Sequence, residues 1–355
     1  MKVLRFLLPI MICIIFIVGC DQSEPAEPVP ESVGTIEEFF PFHENTLITF
    51  DDPNGPWGRV FYTVYVEGNT MQRLTMAGQF MVTEVFEIYG GELRINHASA
   101  TASGFEPMLD MRDDSPMVIL KEPLVVGNSW ETHTGPTIQG VARGYSTITA
   151  VDVEITTPYG VVIAIEVSTE FENGYTSVDY FAKGIGLVQS GFFIQGFQRD
   201  VDDRRFFQED LEVLLVLRSI EENTPFDVQY FVVFPNDSAD DFDFAFGSFE
   251  FMTNGDIVPE FERFLRNPDG REYGLISPNT TINSIRVSWE QVPERPGFDV
   301  TTVHLDLSSD FVNDRNVGAS YELLLLESLE LTMRDFFNAH IFDLTIDGQP
   351  FDFGH

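Results

Sequence analysis

Apolar and polar residues alternate in short runs from about Phe39 to Ile220, and turn-forming residues separate the runs. Alternation with a period of two indicates half-buried strands. The predicted strands are Thr46–Phe50, Val60–Val66, Gly78–Tyr89, Val118–Leu120, Ser129–His133, Ala142–Glu154, Val161–Ser168, Tyr175–Ala182, Leu187–Phe197 and Leu211–Leu217. About ten strands joined by hairpins predict an antiparallel β-rich, half-barrel-like domain over residues 39–221. The segment from Phe206 to Ile220 is also compatible with a helix.

A different pattern follows the polar segment Glu221–Pro225, which we predict to be a linker. Strands are predicted at Val228–Phe234, Asp243–Met252, Ile282–Trp289, from Val303 to Leu307, and at Ile341–Ile346. Helices are predicted at Asp256–Asn267 and Ala319–Phe337. The second helix is predicted because apolar residues recur at three- and four-residue steps, at Leu323, Leu326, Leu329, Met333 and Phe337. This mixture predicts an α+β domain over residues 224–353 and an α+β protein overall.

Three segments of this region resemble the GerMN domain, a family named for sporulation and spore germination proteins. They are Leu305–Phe311 (LDLSSDF), the helix that carries Ser328 and Thr332 before Phe336, and Thr345–Pro350 (TIDGQP). In the first segment, Ser308 or Ser309 is predicted to cap a short helix. The resemblance covers Asp227–Phe351, and it implies a two-layer α+β module that binds or assembles without catalytic residues. The loop Val292–Phe298 departs from the family's usual spacing.

Two segments of the N-terminal half resemble a β-rich module found in bacterial lipoproteins. They are Tyr180–Val188, which is typical of a hairpin in that module, and Gly127–Trp130, a Gly-Asn-x-Trp segment. This resemblance supports the predicted fold of the half and implies no activity.

The N-terminus carries the pattern of a signal peptide. Lys2 and Arg5 precede the apolar run Phe6–Gly19, which at about fourteen residues is short for a membrane-spanning helix. The run ends Ile17-Val18-Gly19-Cys20, which resembles the bacterial lipobox. The resemblance implies that residues 1–19 are a lipoprotein signal peptide and that Cys20 is acylated. An uncleaved anchor helix is the alternative.

Residues 20–38 are rich in Pro and Glu and are predicted to form a flexible tether. With the lipid on Cys20, this places the protein at the outer face of the cytoplasmic membrane. The membrane is thus a predicted partner through the lipid anchor.

The charge balance bounds the other partners. The chain has 57 Asp and Glu against 20 Lys and Arg, for a net charge of −37. Such a surface repels phosphate backbones and anionic headgroups, so we expect no nucleic-acid partner. Another envelope protein, or a second copy of this chain, is expected instead.

Residues that could carry chemistry are sparse. The 6 histidines lie far apart, with no pair at metal-ligand spacing. The dense acidic segments Asp200–Asp203 and Asp237–Asp243 offer carboxylates to Ca²⁺, although solvated loops are the simpler interpretation. Asp51–Gly55 also carries oxygen ligands, but it lacks the twelve-residue loop and terminal Glu of an EF-hand. His304, Asp306 and Ser308 lie on one strand end, so they cannot form a triad with an independent orienting group. No catalytic residue, metal or cofactor is predicted.

Two classes of function remain. The first is a non-enzymatic, lipid-anchored envelope protein whose GerMN-like domain docks onto a partner, with a link to sporulation or germination implied by the family. A short, aromatic strand suits such docking by edge pairing, and its candidate residues are Val228, Tyr230, Val232 and Phe234. The alternative is a carrier or sensor whose β-rich domain holds an apolar ligand.

Overall fold

The computed structural model describes residues 31–53, 58–77, 80–99, 104–111, 115–134, 142–193, 211–236, 238, 240–267, 274–291, 299–314 and 319–351. The predicted signal peptide, Cys20 and most of the predicted tether lie outside these residues. The described residues from Ser32 onward belong to one compact unit. No helix in these ranges is long and apolar enough to cross a membrane.

The alternating segments form a twelve-stranded antiparallel sheet. Its strands are β1 (Thr46–Asp51), β2 (Arg59–Glu67), β3 (Thr70–Ala77), β4 (Phe80–Tyr89), β5 (Glu92–Ser99), β6 (Met117–Lys121), β7 (Ser129–His133), β8 (Arg143–Thr157), β9 (Gly160–Phe171), β10 (Thr176–Ala182), β11 (Gly186–Phe193) and β12 (Leu211–Glu222). The spatial order is β6-β5-β4-β3-β2-β1-β12-β11-β10-β9-β8-β7. Hairpins join most neighbours, and β12 returns to pair with β1.

The two edge strands of this sheet approach each other, so the sheet nearly closes. The indole Nε1 of Trp130 and the hydroxyl of Thr132, both on β7, donate hydrogen bonds to the carbonyl of Val118 on β6, at 3.2 and 2.8 Å. Side chains therefore satisfy an edge carbonyl that no further strand covers. Leu211–Glu222 is a strand, so the helical alternative for that segment is wrong.

The C-terminal part contains a hairpin, a four-stranded sheet and helices. Its elements are β13 (Phe226–Pro235), β14 (Phe242–Phe251), α2 (Val258–Arg266), β15 (Ile282–Gln291), β16 (Asp299–Leu307), α3 (Asp310–Asn313), α4 (Ala319–Phe336), β17 (Ile341–Ile346) and β18 (Gln349–Pro350). β13 and β14 pair only with each other, while the order of the other sheet is β15-β16-β17-β18. β16 and β17 are parallel, with α4 in the connection between them.

The predicted α+β class is wrong for this protein. Of the described residues, 57% lie in strands and 13% in helices, and the twelve-stranded sheet dominates the molecule. The C-terminal strands fall into separate two- and four-stranded sheets rather than one sheet layer under helices. Helices are present at both predicted places, but they hold too few residues to set the class of the whole chain.

One hydrophobic cluster runs across the predicted linker. It joins buried residues of β2 and β3, such as Tyr62, Tyr65 and Leu74, to the C-terminal hairpin and helices. The phenol of Tyr62 also donates a 2.9 Å hydrogen bond to the carbonyl of Phe251. The boundary near residues 221–226 stays a prediction, and the two parts on either side of it share this core.

Part of the segment predicted as tether packs on the sheet. The backbone N–H of Val33 donates to the carbonyl of Leu124 at 3.2 Å, and a four-residue helix, α1 (Ile36–Phe39), follows. Ile36 and Phe39 are buried in a cluster with residues of the large sheet. Burial of these two side chains stabilises the segment, which the Pro- and Glu-rich composition before it does not suggest.

Candidate binding surface

The four residues predicted to form a binding edge face the core. Val228, Val232 and Phe234 of β13 are buried in the shared cluster. Tyr230 is half-buried, and its ring stacks on Phe264 of α2 with 4.2 Å between centroids. These side chains hold the hairpin on the helices, and the binding edge predicted at these four residues stays a prediction.

Helix α4 covers part of the outer edge of β13. The N–H of Val233 donates to the hydroxyl of Thr332 at 3.0 Å, and that hydroxyl lies 3.4 Å from the carbonyl oxygen of Val233. Both backbone groups of this edge residue are thus satisfied by one helical side chain. Strand addition at this point would require α4 to move.

The opposite face of the hairpin carries exposed aromatic rings. Phe231 of β13 lies 6.3 Å from Phe244 and 6.1 Å from Phe246, both on β14, measured between ring centroids. Phe246 is 80% exposed and Phe244 is 59% exposed. We call Phe231, Phe244 and Phe246 the aromatic face. Rings of this size exposed together are typical of an interaction surface.

The aromatic face was missed in the sequence, although a signal was present. β14 reads FDFAFGSFEF, in which the phenylalanines change from even to odd positions between Phe246 and Phe249. Because alternate residues point to opposite faces, this change places apolar rings on both faces of the strand. One set belongs to the core, and the other, at Phe244 and Phe246, is left exposed.

Gly247 allows the hairpin to close over Tyr230. A Cβ atom at position 247 would lie 2.4 Å from the Tyr230 hydroxyl and 2.5 Å from the adjacent ring carbon. The missing side chain on β14 therefore makes room for the stacked tyrosine on β13. This contact fixes which face of the hairpin turns inward.

A second candidate is the inside of the twelve-stranded sheet, where an apolar ligand would bind. One cavity, lined by residues of β1, β2 and β3 among others, has a volume of about 30 Å³, which holds water but is far below the roughly 300–1,000 Å³ of ligand pockets. Arg73 occupies the space beside it, with its guanidinium 4.1 Å from the ring centroid of Phe61 and 4.4 Å from that of Phe86. Glu84 neutralises Arg73 through a 2.8 Å ion pair.

A larger space of about 530 Å³ lies at the ends of β1 and β2. Its lining is charged in part, by Asp51, Asp52, Arg59 and Arg218, and Asp51 pairs with Arg218 at 3.1 Å. This lining does not suit an apolar ligand.

Three side chains on the four-stranded sheet form a hydrogen-bonded Ser-His-Asp row that sequence reasoning did not find. The Nε2 of His304 lies 2.7 Å from the hydroxyl of Ser288, and its Nδ1 lies 2.9 Å from the carboxylate of Asp343. The three residues come from β15, β16 and β17, so only the pairing of the strands brings them together. The strand register, not local spacing, would have been needed to predict the row.

Acyl-transfer catalysis has a second requirement, N–H donors that converge on the developing oxyanion. Ser288 lies inside a regular strand, where successive N–H groups point to opposite sides, so neighbours along β15 cannot converge. The three side chains satisfy one another's hydrogen bonds and form a polar cluster on a sheet face.

The motifs that resemble GerMN have local structural roles. The carboxylate of Asp306 accepts hydrogen bonds from the Thr345 hydroxyl at 2.6 Å, the Gly348 N–H at 2.8 Å and the Asn283 amide at 3.0 Å. Burial raises the pKa of Asp306, but these hydrogen bonds outweigh it, and the pKa is lowered overall. Asp306 thereby ties β16 to the turn after β17.

The predicted side-chain cap of α3 is wrong. Ser309 stands at the N-cap without a side-chain hydrogen bond to the helix, whereas the Ser308 hydroxyl accepts a bond from the N–H of Thr281 at 3.0 Å. Ser308 therefore joins two loops instead of capping a helix.

The acidic segments named in the sequence analysis are only partly described. Asp200–Asp203 lie outside the described ranges, as do residues 237 and 239 of Asp237–Asp243 and Asn54 and Gly55 of Asp51–Gly55. Within the ranges that are described, no group of three or more His, Cys, Asp and Glu residues is placed to hold a metal ion.

No protein-family model matches the chain, and no curated protein matches it. Two solved structures are weakly similar. One is a Bacteroides fragilis protein described as exported and as having a YmcC-like fold, with 14% identity, a TM-score of 0.32, and coverage of 52% of this chain and 99% of that one. The other is a Parabacteroides distasonis protein described as a lipoprotein, with 11% identity, a TM-score of 0.29, and coverage of 54% and 100%.

Similarity at this level carries no argument about activity, ligand or partner. Neither structure bears on the GerMN resemblance or on sporulation.

Proposed function

We propose that this protein is a lipid-anchored envelope protein that binds another envelope protein through the aromatic face of the β13–β14 hairpin. The observation that carries the proposal is the exposure of Phe244 and Phe246 on an otherwise acidic molecule. Large exposed rings cost solubility in a protein that stays alone, so their retention favours a partner that covers them. Apolar anchors of this kind dominate the energy of many interfaces.

The location in the proposal rests on the N-terminal sequence. The short apolar run that ends at Cys20 supports export followed by acylation, and the Pro- and Glu-rich residues after it suit a connection between lipid and folded part. A single acyl chain binds membranes reversibly, so we expect Cys20 to carry more than one.

The proposed role is binding and not catalysis. This part of the proposal is supported by the Ser288–His304–Asp343 row, whose serine lies inside a regular strand where neighbouring N–H groups cannot converge on an oxyanion. The role of apolar carrier receives no support from the small cavity in the large sheet. The GerMN resemblance stays a prediction, and the proposal includes no role in sporulation.

The proposal is tested by site-specific photocrosslinking in intact cells. Phe246 is replaced by benzoylphenylalanine, which retains an aromatic ring at a position that is already exposed. The control carries the same replacement at Ile163, which is 52% exposed on β9, far along the chain in the large sheet. We expect a discrete adduct with an envelope protein from position 246 and none from position 163.

Two further variants make this result specific. Phe244→Ser, combined with the crosslinker at position 246, should strongly reduce the adduct because it removes the other strongly exposed ring of the aromatic face. Cys20→Ala should also abolish it by blocking acylation. Equal labelling from both positions, or no adduct at all, would contradict the proposed function.

A further inference from the structure

We propose that the partner contributes an extended, cationic segment that pairs with the outer edge of β14 as a third strand of the hairpin sheet. This inference rests on the proposed function and names the chemistry of the partner. It combines three observations: an open strand edge, apolar rings on the adjacent face, and carboxylates at both ends of those rings.

The register of the hairpin shows which backbone groups are open. In an antiparallel pair, opposite residues alternate between those that hydrogen-bond to each other and those whose N–H and C=O point away. Val233 is of the second kind, because its N–H and C=O face Thr332, and it lies opposite Phe244. The backbone groups of Phe244 therefore point to the outer edge of β14.

The same alternation extends along the strand. Phe246 is opposite Phe231 and Ser248 is opposite Gln229, each two residues further along, so their N–H and C=O groups also point outward. In the described part of the chain, β14 pairs with β13 and with no other strand. A strand added here would meet a ladder of outward donors and acceptors from Phe244 to Ser248, which is the geometry of β-augmentation.

The side chains beside this ladder are apolar. Phe244 and Phe246 alternate with Ala245 and Gly247, so both rings lie on the solvent face. Alternate residues of an added strand would lie beside these rings, at the usual spacing of about 4.8 Å between strands. Small or β-branched apolar residues at those positions would cover the rings.

Charge selects the partner. Asp227 and Glu250 lie directly opposite each other on the aromatic side of the hairpin, at the end near the large sheet, and Asp240 and Asp241 lie near the tip. Like charges in opposite positions destabilise a sheet, and a neighbouring cation relieves the repulsion. A segment with Lys or Arg at its ends would place cations beside both acidic sites.

The same charges argue against two other occupants. A second copy would bring its own acidic ends to the edge and carries a net charge of −37, so its approach is repelled. A bilayer with anionic headgroups is repelled for the same reason. A cationic strand is the occupant that satisfies the edge, the rings and the charge together.

The test uses the full-length protein in detergent and two synthetic peptides of nine residues. Both peptides alternate Val and Thr in the centre; one has two Lys at each end and the other has two Glu. Binding is measured by fluorescence anisotropy at low and at high salt. We expect the Lys peptide to bind at least about tenfold more tightly than the Glu peptide, with the difference reduced by salt.

Two pairs of variants separate strand addition from simple apolar contact. Ser248→Pro removes an N–H that points to the outer edge, so it breaks no bond to β13. Proline is tolerated at strand edges of this kind. This variant should weaken the Lys peptide at least about tenfold, whereas Ser248→Ala should not. Phe246→Ser should weaken binding by a similar factor, and the control Ile163→Ser should leave it unchanged.

The outcomes are decisive in both directions. Equal binding of the two peptides, or unchanged binding by Ser248→Pro, would overturn the inference. So would a dimer of the full-length protein at low salt that Phe246→Ser dissociates, because the occupant would then be a second copy. If crosslinking at position 246 captures an envelope protein but the peptides fail, only this inference fails. If crosslinking captures nothing, the proposed function itself fails.

Discussion

At the scale of single residues, Asp179 shows how burial changes the protonation of a carboxyl group. The hydroxyls of Ser190 and Ser177 donate hydrogen bonds to it at 2.6 and 3.3 Å. Burial nevertheless outweighs these bonds and raises the pKa of Asp179 from 3.8 to about 6. The carboxyl lies on β10 opposite Val167 and Ser190, within the large sheet.

This shift makes the folded state less stable as the pH rises. Between pH 4 and 6 the folded chain holds a proton on Asp179 that the unfolded chain has released, so stability falls with increasing pH through that window. We expect Asp179→Asn to raise the melting temperature at pH 8 and to leave it nearly unchanged at pH 4. The gain in the free energy of unfolding at pH 8 should be about 1–3 kcal/mol. Thermal unfolding at both pH values measures it.

Asp306→Asn provides the control of opposite sign. The pKa of Asp306 is lowered, so its ionised form stabilises the folded state above the unfolded pKa, and this contribution is lost as the pH falls through the folded pKa. Asp306→Asn should therefore destabilise the protein at pH 8 and have a smaller effect at low pH. If Asp179→Asn instead lowers the melting temperature at pH 8, burial does not destabilise the ionised carboxylate of Asp179 in the folded state.

At the scale of elements, the sequence pattern predicts the bounds of helix α4 but only part of its buried face. Its predicted range, Ala319–Phe337, differs from the observed one by a single residue. Leu329 and Met333 are buried as predicted, but Leu323 is 53% exposed and Leu325 is buried in its place. The run LLLL at residues 323–326 gives no contrast between faces, so packing against β13 decides which leucine is covered.

Strands β3 and β5 were missed for a related reason. Each begins after a glycine-containing turn, Gly68-Asn69 or Gly90-Gly91, but the strands carry polar residues such as Gln72 and Asn96 at buried positions. Gln72 donates to the carbonyls of Gly104 and Glu106, both at 2.9 Å, so a distant segment satisfies its amide. Local alternation does not show such a distant partner, so the pattern of polar residues did not indicate a strand at either position.

Thr332 and Ser328 lie one turn apart on α4 and are both buried, which makes them a matched pair. Thr332→Val leaves the backbone N–H of Val233 without its partner, so we expect a loss of about 1–3 kcal/mol in the free energy of unfolding. The Ser328 hydroxyl has no hydrogen-bond partner among the described residues, so Ser328→Ala should be neutral or slightly stabilising. Urea unfolding compares the two variants. Equal losses would mean that the Val233 contact contributes nothing specific.

At the scale of the whole molecule, the shared cluster links the large sheet to the hairpin. Thr253, just after β14, exchanges hydrogen bonds with Asn45 at 2.7 and 2.8 Å, and the Asn254 side chain accepts a 2.9 Å bond from the N–H of Val66. These contacts fix the base of the hairpin on the sheet.

The predicted boundary near residues 221–226 is tested by expressing the fragment from Thr224 to the C-terminus. We expect it to unfold cooperatively, because α2, α4 and their strands supply most of the buried residues of the shared cluster. Its urea midpoint should be lower than that of the same region in the full chain, since Tyr62, Tyr65 and Phe105 no longer cover Phe226 and Phe251. A fragment without a cooperative transition would show that the two parts fold only together.

The open edge of β14 has a consequence for the colloidal behaviour of the free protein. A Phe-rich strand with outward backbone groups is a nucleus for edge-to-edge aggregation, and it lacks the lysine or proline that often protects such edges. The net charge of −37 supplies the protection from a distance, because like-charged molecules rarely meet for long enough to pair. The acidic composition thus keeps free molecules apart, and this repulsion acts over about the Debye length of the surrounding medium.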